Sequence, residues 1–237
     1  MRRGLGILSV LIVIVSCANA AMVTESASYA GDTNFQEALS IAQFDSSLGT
    51  LNSVKLTFDG WIISSAGFEN EAGSPYDADL YADLGIYSTI DNSVTLEITG
   101  GSTTYLSESE NATSTAPYLD AYDGTTDYDG VSGVTEEIIN ESYQTIVTLT
   151  DSADLVAFTG SDFVDFTADA SNQGTLSLSG PSGQLSTQAG GSVTAEYDYT
   201  VPEPTTLCLL GLGGLSLIRR RKQIGRASCR ERVCHRV

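Results

Sequence analysis

The chain has 237 residues, with 30 Asp and Glu against 11 Lys and Arg and a formal net charge of −19. Its acidity is concentrated, because residues 21–200 hold 28 carboxylates against the single cation Lys55 and contain neither Cys nor His. That composition excludes binding to a phosphate backbone, which needs Lys and Arg to release counterions; it also leaves no His to complete a Ser-His-Asp site, neither partner of a Cys-His site, and no disulfide staple.

In chain order, Arg2 and Arg3 precede an apolar run from Leu5 to Val15, and the small residues Ala18-Asn19-Ala20-Ala21 close it. This is the order of a secretory signal peptide over residues 1–20, cut by signal peptidase after Ala20. The run has 11 residues, too few to span a hydrocarbon core of about 30 Å. A rival cut exists, since Ile14-Val15-Ser16-Cys17 resembles a lipobox in which Cys17 becomes a lipidated N-terminus.

Residues 21–200 read as one exported domain. Apolar and small polar residues alternate at period two, and Gly, Ser, Asp and Asn separate the segments. Val54, Leu56 and Phe58 share a face before Asp59-Gly60, read as a turn; Val94, Leu96 and Ile98 do so before Gly100-Gly101. Tyr143, Thr145, Val147 and Leu149 form a further run, then Leu176 and Leu178, then Val193, Ala195, Tyr197 and Tyr199, with Gly190-Gly191 read as a hairpin turn. The expected fold is all-β, an antiparallel β-sandwich, immunoglobulin-like or jelly-roll-like, flanked by the signal helix and a C-terminal transmembrane helix. Trp61, next to Ile62-Ile63, is expected in the core rather than on a sugar-binding platform. Asn111 and Asn140 head N-glycosylation patterns that point to exposed loops.

The acidic stretch from Pro117 to Glu137 offers the one candidate metal site. Asp127, Asp129, Gly130 and Glu136 match positions 3, 5, 6 and 12 of a calcium loop counted from Thr125, with Thr125 where Asp is expected and Ser132 where an apolar residue usually packs. Two readings stay open: calcium held by Asp127, Asp129 and Glu136, and a solvated acidic surface. Carboxylate pairs such as Asp127/Asp129 and Glu136/Glu137 lack the raised pKa and cleft spacing that a glycoside hydrolase needs, so catalysis is the distant third reading and no catalytic residue is assigned.

At the C-terminal end, Val201-Pro202-Glu203-Pro204 precede the apolar stretch 205–218, and Arg219, Arg220, Arg221 and Lys222 follow. Fourteen residues rising 1.5 Å each reach about 21 Å, a thin span that Arg stems extend by snorkelling. The cations beyond it stay inside, which puts the domain outside the cell. The segment 201–222 resembles a PEP-CTERM sorting signal. The resemblance implies cleavage near Pro202, Glu203 and Pro204 by an exosortase, a membrane stop at Arg219, Arg220 and Arg221, and transient anchoring by residues 205–218. It further implies a destination at the cell envelope, cell surface or extracellular matrix, with signal peptidase and exosortase as export partners and extracellular polysaccharide as a candidate partner.

A second resemblance rests on Thr33-Asn34-Phe35, on Phe44-Asp45-Ser46-Ser47-Leu48-Gly49-Thr50-Leu51, and on Asp151 to Phe158 with Gly160 and the closing Ser192 to Tyr199. These are similar to the choice-of-anchor E domain, which implies a surface location and no particular activity. Finally, Ile224 to Val233 resemble a translated sequencing adapter, since ATC GGA AGA GCG TCG TGT AGG GAA AGA GTG encodes them in order. Residues 224–237, with Cys229, Cys234 and His235, are set aside as an artefact, and the natural chain is expected to end near Lys222. The functional expectation is a structural or adhesive exported protein, with a calcium- or polysaccharide-binding module as the alternative.

Overall fold

The computed structural model describes residues 19–202, so the expected signal helix and the sorting helix at 205–218 lie outside the described residues. Among those described, no helix is long and apolar enough to cross a membrane. Period-two alternation produces eight strands: β1 (Asn19–Asp32), β2 (Phe35–Ala42), β3 (Thr50–Glu69), β4 (Thr89–Gly100), β5 (Thr103–Thr115), β6 (Gly133–Leu149), β7 (Phe163–Ser177) and β8 (Ser182–Val201). Two six-residue helices, α1 (Ala78–Asp83) and α2 (Ser152–Ala157), sit in connections.

The strands form two antiparallel sheets, sheet A in the order β1-β8-β3-β6 and sheet B in the order β2-β7-β4-β5. Their inner faces meet as the expected sandwich. Val54, Leu56, Phe58 and Ile62 of β3, with Val193, Ala195 and Tyr197 of β8, are buried with Val94, Leu96 and Ile98 of β4 and Phe166 of β7. Each large side chain fully buried in such a core contributes about 1.5–3 kcal/mol. A second cluster of Ala66, Phe68, Tyr76, Ile90, Ala116 and Leu119 fills one end of the sandwich beneath the connections 70–88 and 116–132.

One polar network crosses the core. Asn92 of β4 donates through Nδ2 to Ser64 Oγ at 2.7 Å and to Thr187 Oγ1 at 3.2 Å, while those two hydroxyls lie 2.9 Å apart. Ser64 and Thr187 belong to sheet A and Asn92 to sheet B, so the bonds join the two layers in one register.

Two expected turns are not turns. β3 continues through Asp59-Gly60 to Glu69, and Gly190-Gly191 lie in mid-β8, where Gly60 pairs with Gly191 and Trp61 with Gly190. A lone glycine inside a strand marks close approach as readily as a turn: a Cβ on Gly60 would come within 2.8 Å of Leu96 Cδ2, reaching across from sheet B. By contrast Gly100-Gly101 does turn the chain, with φ +60 at Gly101, between β4 and β5. Asn111 and Asn140 are exposed but sit on β5 and β6 rather than on loops.

β3 pairs with β8 from Thr50 opposite Thr200 to Glu69 opposite Ser182. Twenty residues at about 3.3 Å make a ladder on the order of 60 Å long. Its two ends are the near pole, where the chain leaves β8, and the far pole, under the acidic loop.

Tyr197 points into the core near the near pole and donates its hydroxyl to Ala42 O at 2.8 Å. Burial first, and the charge of Glu25 second, push its phenol up from 10.0 to about 12. The unfolded chain therefore ionises first, so the stabilisation from this phenol is full below pH 10 and is lost as pH rises toward about 12. Thermal melts between pH 9 and 12 should find a shallower alkaline decline in Tyr197→Phe than in the parent; equal slopes would contradict this placement.

Candidate functional site

The near pole brings together segments far apart in sequence. Phe44 N–H donates to Phe158 O at 2.8 Å, and Gly160 N–H donates to Phe44 O at 3.0 Å. Gln43 clamps the same junction, donating from Nε2 to Ala157 O at 2.9 Å and accepting at Oε1 from Asp162 N–H at 3.1 Å. The result is a concavity of about 450 Å³ whose lining includes Phe44, Gly49, Leu51, Leu155, Val156 and Thr159. At its rim the Ser47 N–H, 2.8 Å from Asp45 Oδ1, holds the Asp45 carboxyl below its ordinary value.

The end of β8 runs beside this pole. The ring of Phe44 lies 5.0 Å from that of Tyr199, and a Cβ on Gly49 would stand 2.2 Å from Thr200 O. Only glycine lets the 43–49 connection lie against that backbone. β8 is paired on both sides up to Thr200, which lies opposite Ala20 and Thr50, and its last residue Val201 pairs with Asn19 alone. Pro202 follows as an exposed residue. Of the predicted sorting residues, Glu203, Pro204, Arg219, Arg220 and Arg221 lie outside the described residues. Ala21 pairs with Tyr199, so a cut after Ala20 leaves β1 against β8 for nearly its whole length, and both ends of the domain emerge at one pole.

The acidic loop lies at the far pole, and the convergence expected for calcium is not formed there. Asp127 Oδ1 accepts the Asp129 N–H at 3.1 Å, and Asp129 Oδ1 accepts the Gly130 N–H at 2.8 Å, so both carboxylates hold their own turn. Glu136 stands on β6 opposite Ala66 and accepts from Ser114 Oγ. Among the described residues no three His, Cys, Asp or Glu form a group that holds a metal ion. What organises the loop is Glu69, fully buried at the end of β3, whose Oε2 accepts the N–H of Tyr128 at 2.8 Å while Tyr128 adopts φ +59. Its Oε1 has no partner. Nothing in the alternation around Phe68-Glu69-Asn70 marked that carboxylate as internal.

Trp61 is also placed differently from its expectation. Inward positions of β3 are even-numbered, so Trp61 faces outward and is only partly buried. Its indole covers Gly190, where a Cβ would stand 2.5 Å from Trp61 Nε1.

Comparison with known proteins agrees with the chain's exit from this pole. The PEP-CTERM protein-sorting motif matches residues 200–222, starting at the last doubly paired residue of β8. The chain is thus an exported β-sandwich protein with a sorting tail, processed by an exosortase at export and anchored at the cell envelope. No curated protein matches the chain. Among solved structures, the infectious bursal disease virus Gx strain is 11% identical at a TM-score of 0.14, covering 93% of this chain and 54% of that one. The same virus's VP2 subviral particle is 12% identical at 0.17, covering 87% and 50%, and the decameric BFDV capsid protein 9% identical at 0.14, covering 75% and 99%. This chain spans about half the length of the first two. At such TM-scores nothing of those proteins carries over.

Two outcomes are expected. Gly49→Ala should destabilise the domain by about 1–3 kcal/mol, the usual range for a forced overlap, and should open the end of β8 to limited proteolysis; an unchanged melting temperature would contradict the close approach. At matched ionic strength CaCl2 should raise the melting temperature no more than MgCl2, and Asp127→Asn should not change that equality; a shift specific to calcium would restore the calcium loop.

Proposed function

We propose that the exported domain is a non-catalytic structural or adhesive component of the cell surface or extracellular matrix. The single observation that carries this reading is the way the domain is mounted. β8 is held between β1 and β3 up to Thr200 and reaches the sorting motif at once. Three residues, at most about 3.6 Å each, separate Val201 from the apolar stretch starting at Thr205. Until the exosortase acts, a sandwich on the order of 60 Å long is thus held by one pole through a short link, and processing at the motif keeps that pole as the attachment end, with the far pole at the other end of the ladder. That suits a protein acting through surfaces presented at a distance.

Two features favour the choice-of-anchor E resemblance. Two segments that carry it, Phe44–Leu51 and Asp151–Gly160, join at the near pole, and the closing Ser192–Tyr199 is the part of β8 that reaches it. Residues 21–200 hold neither His nor Cys, which takes Ser-His-Asp and Cys-His chemistry out of the competing readings.

The test is a deletion strain complemented either with the full chain or with a chain ending at Val201, scored for cell aggregation and retention of extracellular matrix. Deletion should reduce both, the full chain should restore both, and the tailless form should be secreted without restoring them. Normal aggregation and matrix in the deletion strain would end the structural or adhesive reading, while the intact mass of the exported protein independently reports its two processed ends.

A further inference from the structure

The outer face of sheet A carries a side-chain arrangement that sorting does not use. The pairing sets Trp61 between Gly190 of β8 and Ser142 of β6, and Asp59 between Ser192 and Gln144. Ser28 and Ala30 of β1 continue those rows beyond Ser192 and Gly190. Because these neighbours are small, a concavity of about 230 Å³ opens beside the indole. Gln144 Nε2 donates to Asp59 Oδ1 at 2.7 Å, which fixes the carboxylate next to the ring. Ile63 and Ile146, 37% and 52% exposed, flank it along the same face.

This is an unusual way to spend the only tryptophan in the chain. An indole that faces solvent on a sheet keeps apolar surface wet, and its π-face is electron-rich, so it attracts C–H groups carrying partial positive charge. A pyranose presents such C–H groups on a ring face and hydroxyls around its edge. Beside the indole, Asp59 retains acceptor capacity beyond its bond to Gln144, and Ser28 and Ser192 supply hydroxyls able to donate and accept. A few convergent polar groups around an apolar surface are what fixes a small ring in place. Charge selects among sugars. A domain with 28 carboxylates and one Lys, one of those carboxylates in the site itself, repels uronic or sulfated polymers.

We propose that the concavity at Trp61 is a binding subsite for one neutral hexose unit of a polysaccharide. Trp61 stacks on the sugar's C–H face, while Asp59 and the Ser28 and Ser192 hydroxyls take its hydroxyl groups. The inference deepens the adhesive reading and rests on it in one respect, that this face is presented to polymers outside the cell.

Because Trp61 is the sole tryptophan, its fluorescence reports the site directly in the unaltered full chain purified in detergent. The probes are soluble neutral glucan, mannan and galactan, with alginate as the anionic comparison, at low and at high salt. At least one neutral polymer should shift the emission with little dependence on salt. Affinity electrophoresis should then find binding weakened about tenfold or more in Trp61→Ala, equivalent to about 1.4 kcal/mol, nearly kept in Trp61→Phe, and unchanged in Tyr118→Ala, an exposed residue of the far-pole loop. No shift with any neutral polymer overturns the subsite, as does a response to alginate alone. A lowered melting temperature in Trp61→Ala with binding intact also overturns it, since the indole then only shields the backbone of Gly190. A deletion strain that loses aggregation while the fluorescence stays silent would sink the subsite and leave the adhesive reading standing.

Discussion

The pairing of β3 with β8 is the constraint on which the rest of the molecule depends. These two twenty-residue strands are the inner pair of sheet A, and their register decides which side chains face the core. A slip of one residue would turn Val54, Leu56, Phe58 and Ile62 outward together. Two devices oppose such a slip. Ser64 and Thr187, one from each strand, share the amide of Asn92 across the interlayer space, and Gly49 lies so close to Thr200 that the chain enters β3 at one position relative to the end of β8.

Stability in this domain comes from burial and ladder bonds, because charge works against compactness. Among the described residues the one ion pair joins Lys55 to Glu196 at 3.0 Å, with both side chains partly exposed, and such pairs contribute at most about 1 kcal/mol. The remaining carboxylates are mostly spread over outer faces and loops, where water solvates them. Glu69 departs from that pattern, since a fully buried carboxylate with one bonded oxygen is a costly group. What it supplies in return is an anchor for the Tyr128 backbone, which holds the acidic loop over the second core cluster.

The same architecture separates tasks in space. The sorting motif begins at the near pole, where Ala21 and Tyr199 lie opposite each other and Pro202 leaves the ladder. The outer face of sheet A and the far pole stay clear of it. A ladder paired on both sides up to Thr200 also keeps the edges of β8 covered, so exosortase meets the chain just past a firm structural boundary. Trp61 lies eleven residues along β3 from Thr50, so the proposed subsite is well separated from the near pole.

Much of this was legible in residue order. Pro202-Glu203-Pro204 with its tail, and the alternation of Val54-Leu56-Phe58 or Val193-Ala195-Tyr197, each rest on local spacing, and local spacing determines both a sorting motif and the inward face of a strand. The position of Trp61 was implicit as well, for the alternation carried through Gly60 puts residue 61 outside; reading Asp59-Gly60 as a turn hid it. Tertiary structure alone decided what depends on partners far away in sequence. Whether Gly60 and Gly190-Gly191 bend the chain or admit a neighbour depends on Leu96 and on Trp61, and whether Asp127, Asp129 and Glu136 converge depends on Ser114 and on the turn's own amides. That Glu69 is buried depends on a loop some sixty residues later. A glycine or a carboxylate has the same local signature in either role, and only packing across the sandwich separates the two.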